Sequence, residues 1–258
     1  MADGSPWQER VQSIDRAISI LNCFSVDVEE LSLGQIATST GLPKPTVYRL
    51  LTAMRNHQWI EQDERSGLYR LGFRLYTLGI IAGAQSDLRK GALPVMERLA
   101  KETKETVNLN IVDDDERICI ELVEGSHGIR NFVKLGTRNT LLHGASGRVL
   151  LAHLPQERID SVLANVETAQ RDNLLSEVEQ IRRQGYALTY SNRVEGAFGA
   201  SAPIFGHKGS CIAGLTVSGP VERIRESETM IVGALLRASH ELTERMGFVE
   251  GVSRKVLP

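Results

Sequence analysis

Lys44, Thr46, Tyr48 and Arg49 crowd into one short segment, LPKPTVYRLL, and Arg65 follows in DERSG. These residue types suit the reading of nucleic acid. A guanidinium pairs with a guanine edge through two parallel hydrogen bonds, while lysines, hydroxyls and helix N-termini hold phosphates. A second set of reactive side chains, His143, Ser146, His207 and Cys211, admits a hydrolase reading. That reading is the weaker, because no G-x-S-x-G elbow, phosphate-cradling glycine loop or H-E-x-x-H accompanies them. His143 beside a turn reads as a structural histidine, and His207 in GHKGS as a solvated turn residue. No catalytic residue is assigned, and the expected class is not an enzyme.

The elements that must position the first set are legible around it. The stretch from Ser32 to Leu51 reads as two short helices joined by a glycine turn. Ser32 and Gln35 form an S-x-x-Q capping box, Gly41 supplies the left-handed stop, and Pro43 and Pro45 preset the backbone for the second helix. Val47, Leu50, Leu51 and Met54 recur at helical spacing as its buried stripe, leaving Pro45, Arg49 and Thr52 outward with Thr46 and Tyr48 on the flanks. Capped helix pairs also occur in proteins that never touch DNA, so the flanks decide. Upstream lies an amphipathic helix with Ile14, Ala17, Ile18, Leu21 and Phe24 on one face and Ser13 as its N-cap. Downstream, WIEQ and LYRLG flank a turn carrying Arg65 and Gly67, which reads as a hairpin. Together these make a winged helix-turn-helix.

The chain has 258 residues, is 41% hydrophobic and carries a formal net charge of -2. Two domains are expected from that length. Near-neutrality does not oppose DNA binding, since the distribution of charge matters more than its sum. From Lys44 to Arg74, six cations face three carboxylates, a local balance of +3. One such small basic surface binds weakly. Two copies on a two-fold axis add their contacts, so a homodimer or tetramer on a near-palindromic DNA operator is expected. Cys23, Cys119 and Cys211 are odd in number and form no C-x-x-C pair, so neither disulfides nor a metal centre is expected. MADGSPWQER has no leader character and no apolar run reaches membrane-spanning length. A cytoplasmic protein without membrane contact or cofactor is the expectation.

After the hairpin, FRLYTLGIIAGAQSDLRKGALPVMERLAKET reads as one helix breaking into another. Leu71, Leu75, Leu78 and Ile81 make an apolar stripe suited to a dimer contact, and Gly83, Gly91 and Pro94 interrupt the helix, the glycines as candidate hinges. From Thr106 the pattern changes to strands: TVNLNIV, RICIELVEG and IRNFVKLG. Helices follow in GRVLLAHL and from Leu174 to Gln184, closed by Gly185. Then come the strands YALTY, GAFGASAPIFG and CIAGLTVSGP, and a last helix from about Ser227 to Met246. This order predicts an α+β domain, an antiparallel sheet covered by helices. Its strand-rich part from Gly196 to Gly219 argues against a winged-helix regulator with an all-helical ligand bundle.

SIDRAISIL, LPKPTVYRLL, YRLGFRLYTLG, LLHGASGRVLLA, RRQGYAL and APIFGHKGSCIAGLTVSGP, in that order, resemble the isocitrate-lyase-regulator (IclR) family of bacterial transcription factors along nearly the whole chain. The resemblance implies an N-terminal winged helix-turn-helix over residues 10–72, a linker helix and dimer contact over 73–90, and a GAF-like effector-binding domain over 91–252. It implies dimers, often paired into tetramers, that repress or activate catabolic genes in response to a small organic acid effector. For DNA, the matching positions are Gln35, Lys44, Thr46, Tyr48, Arg49 and Arg65, with Arg55 and Arg70 left to phosphate or structure. For the effector they are Asn139, Ala145, Ser146, Thr189, Ala197, Gly199, Thr216 and Ser218. Ser146 precedes a helix on this reading. Gly199, Ala197 and Thr189 stand where larger or acidic residues can occur, which implies room for an aromatic or sugar-derived acid rather than a two- or three-carbon ketoacid.

Overall fold

The computed structural model describes residues 11–25, 27–84, 87–127, 134–192, 194–224 and 227–247, without the side chains of 80 and 82–84. The chain divides into two compact units, Met1–Gln85 and Ser86–Pro258. The first holds α1 (Gln12–Leu21), α2 (Leu33–Thr40), α3 (Lys44–Asn56), β1 (Ile60–Gln62), β2 (Tyr69–Leu71) and α4 (Phe73–Ala84). Ile20, Ile36, Val47, Leu51, Met54, Ile60 and Tyr69 form its core. The capping box is formed as the sequence indicates: Ser32 Oγ accepts from the Gln35 amide while Gln35 Oε1 accepts from the Ser32 amide at 2.9 Å. Gly41 ends α2 in the left-handed region.

Two expectations for α1 are corrected. Val11, not Ser13, is its N-cap, and Ser13 lies inside the helix. Ile14 and Ile18 do not join the core: they are 56% and 48% exposed, and Ile20 is the fully buried residue instead. With Val11 at 54%, they form an uncovered apolar stripe.

Strands β1 and β2 pair antiparallel from Ile60↔Leu71 to Gln62↔Tyr69, and Leu31 adds a bridge to Tyr69. Gly67, at φ +72, closes the turn through its amide to the Asp63 carbonyl. The wing is locked to the end of α3 by Gly72, whose amide donates to the Trp59 carbonyl. A Cβ on Gly72 would lie 2.2 Å from the Gln58 carbonyl oxygen, a backbone atom that cannot swing away. Gly72→Ala is therefore expected to destabilise this unit by about 2–3 kcal/mol, read as a lowered melting temperature. An unchanged melting temperature would contradict the close approach.

The second unit holds α5 (Asp87–Thr103), β3 (Thr106–Asp113), β4 (Glu116–Val123), β5 (Arg138–Thr140), α6 (Gly144–Ala152), α7 (Gln156–Val162), α8 (Thr168–Gln184), β6 (Ala187–Tyr190), β7 (Ala197–Phe205), β8 (Cys211–Pro220), α9 (Val221–Ile224) and α10 (Glu228–Arg245). Six strands form one antiparallel sheet in the order β5-β4-β3-β8-β7-β6. The expected strand IRNFVKLG lies mostly outside the described residues. Gly91 and Pro94 do not interrupt the chain, because α5 runs through both. Gly91 is a packing position rather than a hinge: a Cβ there would meet Met246 Cε at 2.9 Å. Gly83 falls within α4, and its surroundings lie outside the described residues.

Strand periodicity divides this sheet into unlike faces. Val107, Leu109, Phe198, Ala200, Ala202, Ile204, Ala213, Leu215 and Val217 pack with α5 and α10 in one apolar cluster. Their alternates, Asn108, Asn110, Ser201, Thr216 and Ser218, are polar and equally buried. A second apolar cluster joins α6, α7 and α8 through Leu141, Val149, Leu151, Ile159, Leu163, Leu174, Val178 and Ile181. Gly147 permits α6 to press against the Leu141 carbonyl, 2.8 Å from where a Cβ would stand.

Candidate DNA interface and effector cavity

Helix α3 begins at Lys44 with Pro45 in its first turn and no acidic residue there, so its positive end is not neutralised locally. Val47, Leu51 and Met54 anchor the inner side. Lys44, Tyr48 and Arg49 are exposed and Thr46 is half-buried, which places the expected contact residues on and beside the outward face. Tyr48 is 56% exposed, a large ring left in solvent by the folded unit. Gln35 is exposed on α2, but its amide oxygen is committed to Ser32, leaving its amide nitrogen as the group available for contact.

Arg65 sits exposed in the wing turn. The turn is held by Asp63, whose Oδ1 accepts from the Ser66 amide at 2.7 Å, the Ser66 hydroxyl and the Arg65 amide. The Ser66 amide and hydroxyl, followed by the Arg65 amide and the charge of Arg70, hold the Asp63 carboxyl below its ordinary range. Arg55 donates to Gln62 Oε1 at 2.6 Å and Arg70 pairs with Glu61 at 3.0 Å. Both bonds tie the wing together, consistent with a structural share for these two arginines.

In the second unit a cavity opens at the start of α6, with about 50 Å³ of space for water centres. Seven of the eight expected effector positions line it: Ala145, Ser146, Thr189, Ala197, Gly199, Thr216 and Ser218. Asn139 does not. It lies on β5, opposite Arg117 of β4 in the strand register. Ser146 does not precede the helix either: α6 starts at Gly144, with His143 as N-cap, so Ser146 is the third helical residue. The Gly144 amide donates to Asn192 Oδ1 at 2.7 Å, while the Ala145 and Ser146 amides have no carbonyl within the helix to reach.

Arg117, Asn108 and Asn192 also line the cavity and escaped the sequence reading. A partial signal for Asn108 stands in TVNLNIV, where two asparagines interrupt an otherwise apolar strand, whereas Arg117 at the head of RICIELV and Asn192 carry none. Among the described lining residues Arg117 is the only one that carries a charge, and it is 5% exposed. Its Nη1 donates to Asn110 Oδ1 at 2.9 Å; Asn110 Nδ2 donates to Asn108 Oδ1 at 2.7 Å; Asn108 Nδ2 reaches Ser218 Oγ at 3.5 Å. Across the cavity wall, Ser201 Oγ donates to the Leu215 carbonyl and lies 2.9 Å from Thr216 Oγ1.

Gly199 does create room. A Cβ there would stand 3.4 Å from both Ala145 Cβ and Thr189 Oγ1. The whole space nevertheless holds roughly four waters.

His143 and His207 are exposed, and burial pushes the Cys211 thiol up to about 12 and Cys119 up to about 11. Both thiols stay protonated near neutrality. Iodoacetamide at pH 8 is expected to leave Cys119 and Cys211 unmodified in the native protein and to label them promptly in denaturant, as read by mass spectrometry. Equal labelling in both states would contradict the burial of Cys119 and the raised thiol of the half-buried Cys211. Among the described residues no group of three or more His, Cys, Asp or Glu side chains could hold a metal ion, and no helix is long and apolar enough to cross a membrane.

A winged helix-turn-helix unit followed along the chain by a sheet-and-helix unit with a polar cavity is the arrangement expected of a two-unit helix-turn-helix transcriptional regulator. Residues 82–243 match the family model "Bacterial transcriptional regulator IclR C-terminal" and residues 13–64 match the "IclR helix-turn-helix domain". The chain belongs to the IclR family of bacterial transcriptional regulators. The HTH-type transcriptional regulator XynR of Escherichia coli (strain K12) is 30% identical over 84% of this chain and 90% of its own. Among solved structures, an IclR transcriptional regulator from Silicibacter sp. TM1040 superposes with a TM-score of 0.84 at 24% identity, covering 93% of this chain and 98% of that one. An IclR homologue from Microbacterium hydrocarbonoxydans, complexed with 4-hydroxybenzoate, superposes with a TM-score of 0.78 at 24% identity, covering 91% and 98%.

Proposed function

We propose that this chain is a cytoplasmic, sequence-specific DNA-binding regulator of catabolic genes, with no catalytic step, whose hold on its operator is set by a small organic acid. The observation that carries this reading is the polar cavity at the start of α6, built into a chain whose other unit offers a solvent-facing recognition helix. Thr46, Tyr48 and Arg49 of α3 enter the major groove, Lys44 holds a phosphate at its edge, Gln35 supports them, and Arg65 of the wing reaches the neighbouring backbone. The acid binds among Ala145, Ser146, Thr189, Ala197, Gly199, Thr216 and Ser218. The bound 4-hydroxybenzoate of the Microbacterium homologue supports an organic acid as the effector class. Domain limits at 10–72, 73–90 and 91–252 accompany the reading.

The operator is near-palindromic because the protein binds as a homodimer or tetramer. Two apolar surfaces of the first unit support self-association: Val11, Ile14 and Ile18 on α1, and Phe73, Tyr76 and Ile81 on α4. Phe73 and Tyr76 are 69% and 62% exposed, and their rings meet in a tilted contact with centroids 5.4 Å apart. The effector acts by linkage, since only a ligand with unequal affinity for two states shifts their balance.

Footprinting on the DNA flanking the protein's own gene tests the reading. The expected result is a protected, near-palindromic site whose protection changes when an acid binds. No protected site at any protein concentration would overturn the assignment of α3.

A further inference from the structure

We propose that Gln62 and Asp63 are positioning residues for DNA binding: together they hold Arg65 of the wing at a fixed offset from the recognition helix α3. The inference rests on the reading of α3 and the wing as the elements that contact DNA, and adds what sets the spacing between them. It follows from the course of the hydrogen bonds between the end of α3 and the tip of the wing.

The wing is a short ribbon, with three residues in each of β1 and β2, and a hairpin of that length is marginal by itself. Its tip is held by more than its ladder. Arg55, in the last turn of α3, donates from Nη1 to Gln62 Oε1 at 2.6 Å, and Gln62 Nε2 donates to the Gly67 carbonyl at 3.0 Å. A guanidinium only donates and a backbone carbonyl only accepts, so one orientation of the Gln62 amide serves both. The recognition helix is thereby joined to the wing tip through a single side chain. A glutamate in its place would lack the donor, and a lysine the acceptor.

Asp63 fixes the turn itself. Its Oδ1 accepts from the Arg65 amide at 3.0 Å, the Ser66 amide at 2.7 Å and the Ser66 hydroxyl at 2.9 Å. Its carbonyl accepts from the Gly67 amide at 2.8 Å, and its amide donates to the Leu68 carbonyl at 2.9 Å. Arg65 is thus held by its backbone, while its side chain is exposed and, among the described residues, enters no ion pair. A fixed backbone beneath a free guanidinium suits a contact whose place is set before DNA arrives, because little ordering is then left for the binding step. A carboxylate close to phosphates opposes DNA binding by its charge. The bonds that Asp63 accepts account for an acid at this place in the wing.

Fluorescence anisotropy of the full chain on the operator located by footprinting tests this, with each substitution made both in the wild-type protein and together with Arg65→Ala. Asp63→Ala removes a negative charge near the phosphates, so charge alone predicts tighter binding, whereas loss of positioning predicts binding about fivefold weaker. Gln62→Leu changes no charge and should weaken binding by a similar factor. Beside Arg65→Ala, both losses should shrink to less than about twofold, because a residue that acts through Arg65 has no effect without it. Asp63→Asn keeps the accepting oxygen and should recover the affinity lost in Asp63→Ala. Losses of the same size with and without Arg65 would make Gln62 and Asp63 supports of the fold alone and overturn the proposal. Unchanged or tighter binding by Gln62→Leu or Asp63→Ala would overturn the role of that residue, as would no recovery in Asp63→Asn for Asp63. Wild-type affinity in Arg65→Ala by itself would overturn the wing contact of the functional reading, and this inference with it.

Discussion

Arg49→Ala is expected to weaken binding to the operator by about 30-fold or more while leaving binding to unrelated DNA nearly unchanged. The residue is exposed on the outward side of α3, one position from Tyr48, and its backbone is fixed by the Val47 and Leu51 anchors beneath. Loss of one bidentate contact to a base pair costs about 1–3 kcal/mol, and a dimer on a near-palindrome loses the contact in both half-sites. The doubled loss sets the size of the effect. Lys44→Ala should behave differently, weakening all sequences alike and flattening the salt dependence, as expected of a phosphate contact. Fluorescence anisotropy with operator and scrambled duplexes separates the two. Equal loss on both duplexes for Arg49→Ala would move that residue from base reading to phosphate holding.

Gly199→Val is expected to abolish the response to the effector while sparing operator binding. Gly199 forms part of the cavity wall on β7, and added methyl groups would crowd Ala145 and Thr189, which already stand 3.4 Å from a hypothetical Cβ. The added carbons project into the space that Ala145, Thr189 and Gly199 line. An effector that must strain the wall to fit past these methyls loses about 1–3 kcal/mol of binding, a drop in affinity of about 5- to 150-fold. Titration of the variant with acid, followed by operator binding of the same preparation, reads both halves. Retained effector affinity would place the ligand elsewhere in the unit.

Much of the architecture was legible because it rests on local rules. The Ser32–Gln35 cap, the Gly41 and Gly185 stops and the limits of α10 all follow from backbone chemistry within a few residues. The misreadings arose where partners distant in sequence decide. Periodicity alone puts Ile14 and Ile18 in the core, yet among the described residues nothing covers them and Ile20 is buried instead. Pro94 and Gly91 read as breaks, but α10 packs along α5 and holds it helical through both.

The cavity was legible in the same uneven way. Positions carried by the family resemblance fell together in one wall, apart from Asn139 on the edge strand β5. Asn108 and Arg117 were missed because their relevance depends on register. Pairing of Asn108 with Thr216 across β3 and β8, and of Val112 with Arg117 across β3 and β4, is what aims three strands' polar residues at one spot. No spacing within a single strand reveals that convergence.

The central claim is that occupancy of the cavity and grip on the operator are linked. It is tested most directly by measuring operator affinity across a titration of the acid, and acid affinity with and without operator. Thermodynamic linkage requires both affinities to change by the same factor, about 5- to 150-fold for an ordinary coupling. The predicted result is such a reciprocal shift, lost in Gly199→Val. An acid that binds tightly in the cavity yet leaves operator affinity unchanged would contradict the account.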